Sequence, residues 1–309
     1  MTDMNLTYVA TVLNSMIRMS SPILLAALTA AICSKVKVFN IGMEGTMMAG
    51  AFFSIVANYY THSVLLSVCA GALSGLIISA INAVCIIRFK AAATVVGMAM
   101  NTLMTGATTY LLYVIFGVRG VFTDSSLVPL PKVTLPIIKD IPFLGTILAN
   151  LTPIDYLAVL LAFGMHVFLY KTVVGYRLRA IGINQEAARS LGSKVERDQF
   201  LTVALSGILC GLGGCALSMG SVTLFIQNIT AGRGYMAMAA CNMGNASPLG
   251  VLFSSYFFGA CQAVGNALQN TSLKTQVTAS IPYAATILAL MVFHVYKKRA
   301  QKRQKEQRK

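Results

Sequence analysis

The sequence predicts an all-α, polytopic membrane protein with eight to ten membrane-crossing helices. Three observations carry this reading. First, 56% of the 309 residues are hydrophobic and only 11% are charged, with a mean hydropathy of +0.72. A soluble domain carries about 25% charged residues, so charge is too scarce here to cover a soluble surface of this size. Second, apolar runs of about 17–25 residues recur along the chain, each long enough to cross the roughly 30 Å hydrocarbon layer as a helix. Within lipid the backbone must satisfy its own hydrogen bonds, which favours helices. Third, the runs are continuous, without the period-two alternation of a porin-like barrel.

The elements follow in order. A short or amphipathic helix is expected at about 5–18, where Asp3, Asn5 and Asn14 make the start too polar for a cleavable leader. Spans are expected at about 20–34, 41–60, 63–88, 92–117, 154–170 and 199–220. A short apolar segment follows at about 234–246, then spans at 248–268 and 279–296. The segment at 235–246 is too short to cross, lies between Gly234 and Gly244, and ends before Pro248. Short, Gly/Pro-interrupted segments are the mark of broken half-helices that line a pathway. Trp is absent, so an interfacial belt must use Tyr and Phe; Tyr59, Tyr60, Tyr110, Tyr113, Tyr156, Tyr170 and Tyr296 fall near run ends.

The net charge of +15 is a matter of topology rather than of nucleic-acid binding, because it sits in short loops and one tail. With the C-terminus in the cytoplasm, alternate loops place eighteen basic residues inside and six outside. The inner set includes Lys35, Lys37, Arg88, Lys90, the group from Lys171 to Arg197, and the tail at 297–309. The outer set is Arg18, Arg119, Lys132, Lys139, Arg233 and Lys274. The positive-inside rule supports that orientation. The chain therefore divides into a transmembrane domain at 1–296, with one sizeable inner loop at about 171–198, and a basic tail expected to touch anionic lipid. A proline-rich outer loop at about 118–153 reads as a structured cap.

The inner loop carries a short helix signal. Asn184 suits an N-cap, Glu186 lies in the first turn where the helix dipole favours an anion, and Gly192 stops the helix. Ala187, Ala188 and Leu191 share one face by their spacing. Such a helix suits a groove on a partner, and it suits a plain interhelical loop equally well.

At this point the chain resembles a known family. The stretch from Arg179 to Gly192 (Arg-Ala-Ile-Gly-Ile-Asn-Gln-Glu-Ala-Ala-Arg-Ser-Leu-Gly) and Leu205-Ser206-Gly207-x-x-x-Gly211-x-x-Gly214 resemble permeases of ABC importers for branched-chain amino acids, simple sugars and nucleosides. So do Phe39-Asn40-Ile41-Gly42-Met43-Glu44-Gly45, Gly232-Arg233-Gly234, Gly244-x-x-x-Pro248-x-Gly250 and Ile281-Pro282-Tyr283. The ordered set spans nearly the whole chain, and Asn40–Gly45 looks most like the nucleoside and simple-sugar branch. The resemblance implies an inverted repeat and a bacterial cytoplasmic membrane location. It implies a second permease subunit, identical or paralogous, cytoplasmic ATPase subunits that bind ATP and Mg, and an extracytoplasmic substrate-binding protein. It also implies that Asn184, Glu186, Ala187, Ala188, Leu191 and Gly192 dock the ATPase. No G-x-x-x-x-G-K-[ST] phosphate loop is present, so hydrolysis is expected in a separate subunit. The chain departs from the nucleoside-type pattern at Arg88–Thr94 and at Cys241–Asn245, which leaves the cargo open between nucleosides, ribose or another simple sugar, and branched-chain amino acids.

Polar residues inside apolar runs are the pathway candidates: Asn242 and Asn245 first, then Asn82, Asn101, Thr105 and Gln262. Each is equally at home in interhelical hydrogen bonding, worth roughly 0.6–2 kcal/mol. Glu44 is expected one turn into its helix, near Lys35 and Lys37 at the cytoplasmic face, as an anchor or as a gate. Arg233 is expected at the outer face, as a snorkelling residue or a contact for the delivery protein. Gly71/Gly75 and Gly207/Gly211 permit close helix packing. The seven cysteines lie in apolar runs with no C-x-x-C pair, and the three histidines are isolated, so no metal site or cofactor of its own is expected. No nucleophile–base pair or paired carboxylates point to catalysis. An ion-coupled transporter would normally carry acids at mid-membrane, where only Glu44 and Asp155 come near a span.

Overall fold

A computed structural model describes residues 2–133, 149–220 and 223–269, with isolated positions at 284 and 291. The expected span at 279–296 and the basic tail at 297–309 fall outside the described residues.

Helix α1 runs unbroken from Thr2 to Lys35. A break was expected near residues 18–20, and Pro22 lies inside the helix instead. Proline deletes one backbone hydrogen bond. The two serines before it bond back one turn: Ser20 Oγ donates to the Met16 carbonyl at 2.6 Å and Ser21 Oγ to that of Ile17 at 3.0 Å. The chain then forms α2 (Met43–Thr61), α3 (Val64–Ala83, extended by a π-turn at Val84–Arg88) and α4 (Ala93–Phe116). A two-residue strand β1 (Val121–Phe122) precedes α5 (Pro153–Lys171). The inner loop holds two helices, α6 (Val173–Ile183) and the short α7 (Gln185–Ser190), where one was expected. Then come α8 (Val195–Met219), strand β2 (Phe225–Ile226), the 11-residue α9 (Arg233–Met243) and α10 (Pro248–Gln269). Among the described residues five helical stretches are long and apolar enough to cross a membrane: Val9–Lys35, Val64–Arg88, Pro153–Lys171, Val195–Met219 and Pro248–Leu268.

Helix α8 is the central post, with α1, α2 and α3 packed around it. Small residues make this possible. A Cβ built on Gly75 would lie 2.8 Å from Gly211 Cα and against the Gly207 carbonyl, and one on Gly211 would meet the Gly71 carbonyl. The two glycine pairs read from the sequence therefore face each other across α3 and α8. Gly214 meets Met47 of α2 in the same way. Lipid tails are as apolar as the side chains they touch, so helix association here rests on close van der Waals packing and interhelical hydrogen bonds. Thr29 Oγ1 donates to the Ser206 carbonyl at 2.9 Å, and the Ser54 and Ser218 hydroxyls pair at 3.0 Å, all in the buried seams of α8.

At one end of the bundle β1 and β2 pair antiparallel, with Val121 opposite Ile226 and Phe122 opposite Phe225. Phe225 is fully buried and meets Phe52 of α2 edge to face at 5.2 Å. The segment after β1 is clamped to α2 by Asn58, whose amide both donates to and accepts from the Val128 backbone at 2.8 and 2.9 Å. Asp155 closes a capping box with Thr152 at the start of α5.

The glycine seam sets a test. Gly211→Leu forces a side chain into the α3 backbone, at a cost of about 1–3 kcal/mol or more, and the expected result is loss of monodisperse protein on detergent extraction. Gly106→Leu on α4 meets open space and is expected to extract like the parent. Equal recovery of both variants would remove the close α3–α8 approach.

Candidate functional site

The site grows from the turn between α1 and α2. Lys37, with φ of +58°, reverses the chain after α1, and Gln199 Nε2 of α8 ties the turn by donating to the Val36 carbonyl at 2.8 Å. Asn40, buried at 4% exposure, follows. Its Oδ1 accepts from Gly42 N–H at 3.1 Å and from Asn82 Nδ2 of α3 at 2.8 Å. Helix α2 then starts without a side-chain cap from its own N-cap residue, Gly42. Its first N–H groups are orphans that need an acceptor. Asn101 of α4 supplies one, accepting from Gly45 N–H at 2.8 Å, while its Nδ2 donates to the Ile41 carbonyl at 3.1 Å and to Tyr235 Oη at 3.0 Å.

Glu44 is the centre of this network. Its carboxylate, 6% exposed, accepts from Gly232 N–H at 2.7 Å on Oε1 and from Gly234 N–H at 2.6 Å on Oε2. These two donors are the N-terminus of α9, where the helix dipole is positive. Gly232, at φ +78°, turns the chain into the helix. A Cβ on Gly234 would lie 2.6 Å from Glu44 N and 2.7 Å from Oε2, so only glycine admits the carboxylate. Arg233 sits between these donors, its Nη1 donating to the Ile229 and Thr230 carbonyls at 3.2 Å.

This corrects one expectation. Glu44 and Arg233 were assigned to opposite faces of the membrane, yet they lie at one level, because the chain between β2 and α9 dips in to meet α2. Glu44 was expected near Lys35 and Lys37; among the described residues it forms no ion pair with either. Backbone amides take that place.

The other candidates divide by exposure. Asn82 and Asn101 are buried in the network, and Gln262 is buried against α9 with Nε2 3.4 Å from Met236 Sδ. Thr105 is half-buried, its hydroxyl donating to the Asn101 carbonyl at 2.9 Å. Asn242 is open on α9, and Asn245 is open just beyond it at φ +53°. Asn242 borders a cleft of about 250 Å³ between α9 and the α1–α2 turn, where Asn40 and Lys37 also lie. Asn40 and Tyr235 were not among the candidates. They flank Gly42-x-x-Gly45 and Gly232-x-Gly234, the two helix starts that the network joins.

In the inner loop, Asn184 Oδ1 accepts from Glu186 and Ala187 N–H at 3.0 and 3.1 Å, and Gly192 at φ +85° ends α7. Leu191 is 86% exposed and Ile183 83%, with Ala187 beside them. Ala188 differs from expectation. It is buried in a cluster with Cys33, Val36, Val38, Leu169, Leu178, Ile181 and Val195, so its side chain faces the protein's own core and not a partner.

A family model described as the branched-chain amino acid transport system permease component matches residues 12–295. The chain belongs to this permease family. Its relatives include the guanosine ABC transporter permease protein NupQ of Bacillus subtilis, 34% identical over 285 residues and 89% of each chain. The nucleoside ABC transporter permease protein NupC of Lactococcus lactis is 30% identical over 290 residues and 90% of each chain. The glucose ABC transporter permease protein TsgB13 of Haloferax volcanii is 24% identical over 289 residues, 90% of this chain and 75% of that one. The permease family and the five apolar helices together make this a multi-pass membrane protein.

The clasp on α9 is open to measurement. Glu44→Ala leaves two buried N–H groups unpaired, each costing about 1–3 kcal/mol, and a marked fall in detergent Tm is expected. Glu44→Gln keeps one acceptor and should fall between the two. A Glu44→Ala protein with the parental Tm would show that the carboxylate does not hold α9.

Proposed function

We propose that this chain is the permease subunit of an ATP-driven importer of nucleosides. The observation that carries the reading is full-length membership of the permease family, with relatives named for guanosine and nucleoside transport over about nine-tenths of the chain. A simple sugar is the second cargo, favoured by the relative named for glucose. ATP and Mg bind separate cytoplasmic ATPase subunits, since the sequence has no phosphate loop. A second permease copy or paralogue completes the channel, and an extracytoplasmic protein delivers cargo. The excess of basic residues in alternate loops supports a cytoplasmic C-terminus.

The exposed apolar side of the inner loop supports an ATPase-docking role for Ile183, Ala187 and Leu191, with Asn184, Glu186 and Gly192 shaping the short helix. An exposed leucine and isoleucine at a polar boundary are anchors for a partner's groove. Ala188 transmits rather than touches. It belongs to the same buried cluster as Val36 and Val38, in the turn that leads to Asn40 and Glu44. A push on α7 thereby reaches the clasp on α9.

Two measurements test this. Uptake of labelled guanosine, uridine and ribose by the native host is compared with and without the gene. Loss of nucleoside uptake, restored by the gene, is expected; loss of ribose uptake alone would move the cargo to a sugar. For docking, Leu191→Glu is expected to lower ATPase co-purification about ten-fold or more while leaving permease yield intact. Ala188→Glu is expected to lower the yield of the permease itself, because it buries a carboxylate among apolar side chains. Full ATPase recovery with Leu191→Glu would end the docking assignment.

A further inference from the structure

The corner between α5 and α6 is built tightly. Thr172 closes α5, its Oγ1 donating to the Phe168 carbonyl at 2.7 Å and accepting from Gly175 N–H at 3.1 Å to cap α6. Gly175 then lies directly against Leu169, where a Cβ would sit 2.6 Å from the Leu169 Cα. This sharp return brings the end of α5 and the first turns of α6 together around Arg179. Its guanidinium carbon lies 4.6 Å from the centre of the Tyr170 ring and 4.7 Å from that of Tyr176. The His166 ring, 4.8 Å from that of Tyr170, backs the first of these rings. A cation over an aromatic face is attracted by the ring quadrupole, so the two tyrosines act as a clamp.

The rings cover the faces of the guanidinium and leave its edge uncommitted. Nε is enclosed and has no hydrogen-bond partner, so contact with an outside group falls to the two Nη nitrogens of this half-exposed residue. No carboxylate answers the charge. The sequence holds no Asp or Glu between Asp155 and Glu186, and none of Lys171, Arg177 and Arg179 forms an ion pair among the described residues. A partly desolvated cation without an anion is costly to keep. Beside it, Leu160, Phe163 and Val167 expose one apolar side of α5 at helical spacing, and Tyr170 lies three residues further on. Helix α5 is one of the five stretches long and apolar enough to cross a membrane, so this side meets acyl chains. Lys171 and Arg177, both exposed, put two further charges at its end.

We propose that Arg179, clamped between Tyr170 and Tyr176, holds the phosphate of one anionic phospholipid whose acyl chains lie along Leu160, Phe163 and Val167. The inference goes beyond the permease reading above and rests on it for one point, that the loop at 171–198 faces the anionic cytoplasmic leaflet. A guanidinium edge pairs two N–H groups with two phosphate oxygens. The stacked rings already fix its plane, so little side-chain freedom is lost on binding. Lys171 and Arg177 draw the headgroup in, and the clamp places it. A lipid fits this site better than a protein does, because the unpaired charge stands at the rim of an apolar side that crosses the membrane. The headgroup sits where α6 leaves α5, and α6 leads into α7. An occupied site thereby braces the arm that carries the docking helix.

The test is native mass spectrometry of the complete transporter in mild detergent, titrated with phosphatidylglycerol, phosphatidylcholine or inorganic phosphate. The parent is expected to bind phosphatidylglycerol at its tightest site about five-fold or more above phosphatidylcholine; equal binding of the two lipids would overturn the anionic site. Arg179→Gln is expected to weaken phosphatidylglycerol binding about ten-fold, the order of one charge-assisted hydrogen bond. Arg177→Gln removes the same charge outside the clamp and is expected to change it about two-fold or less. Equal weakening by the two variants would mean a diffuse basic surface and overturn the clamp, and parental binding by Arg179→Gln would overturn the site outright. Inorganic phosphate displacing the lipid at equal concentration would overturn the lipid assignment, since the anion alone would then suffice. If Arg179→Gln lowers the yield of folded permease, Tyr176→Leu serves. Tyr176 is exposed, and loss of one ring is expected to weaken the same site about three-fold; parental binding by this variant overturns the clamp. ATPase recovery is read in the same spectra. Loss of ATPase with parental phosphatidylglycerol binding would assign Arg179 to the ATPase contact and overturn the lipid site. A parent that carries no ATPase would count against the permease reading, and phosphatidylglycerol binding through Arg179 would still support the site.

Discussion

A carboxylate placed among membrane helices must be neutralised or paired, and the way Glu44 is paired organises this protein. An acid at the bilayer centre costs about 2.5 kcal/mol or more. Glu44 meets that cost with two backbone N–H groups at the start of α9, 2.6 and 2.7 Å away. The donors carry the positive end of a helix dipole, so the contact is charge-assisted without a basic side chain. Because those donors must reach Glu44, the chain after β2 enters the bundle and α9 is short. A full-length span in that place would carry its N-terminus past the carboxylate.

The same requirement propagates outward. Helix α2 presents its own unpaired N–H groups at this level, and Asn101 closes them from α4. Asn40 and Asn82 then brace the turn that leads into α2. Three asparagines and one glutamate thereby fix four helices at one depth, using hydrogen bonds whose alternative in lipid is no partner at all. The glycine seam between α3 and α8 serves this arrangement. Close packing around a central post leaves little freedom for the surrounding helices to slide and break the network.

Much of this was legible in the sequence. The runs at 41–60, 92–117, 154–170 and 248–268 form helices α2, α4, α5 and α10 within two residues at most, because long apolar runs bounded by Gly, Pro and charge have few other solutions; of these four, α5 and α10 are among the five stretches long and apolar enough to cross a membrane. The glycine pairs were readable for the same reason: small residues four apart serve close approach. The break expected near residues 18–20 was not there, and α1 runs on through Pro22. The depth of Arg233 was also beyond the sequence. A re-entrant segment and an outer loop have the same composition when both are rich in Gly, Thr and Asn, and only the tertiary contact with Glu44 separates them. Ala188 shows the same limit on a smaller scale. A six-residue helix has three faces, and spacing alone does not say which is turned inward.

Distance separates the exposed loop helix from the polar cleft, and one apolar cluster spans it. Ala188 and Val195 at the loop end, Leu178 and Ile181 on α6, and Cys33, Val36 and Val38 at the turn belong to a single buried group. Close-packed side chains transmit displacement because they have little room to absorb it. Gly182 of α6 lies directly against the Lys35 carbonyl, where a Cβ would collide, so α6 and the end of α1 move as one. The turn that this unit carries holds Asn40, and the next helical turn holds Glu44. Two backbone hydrogen bonds to one side chain can be made and broken without repacking a core. In the transport cycle proposed above, the Glu44 contact is where a rigid-body change would divide the protein.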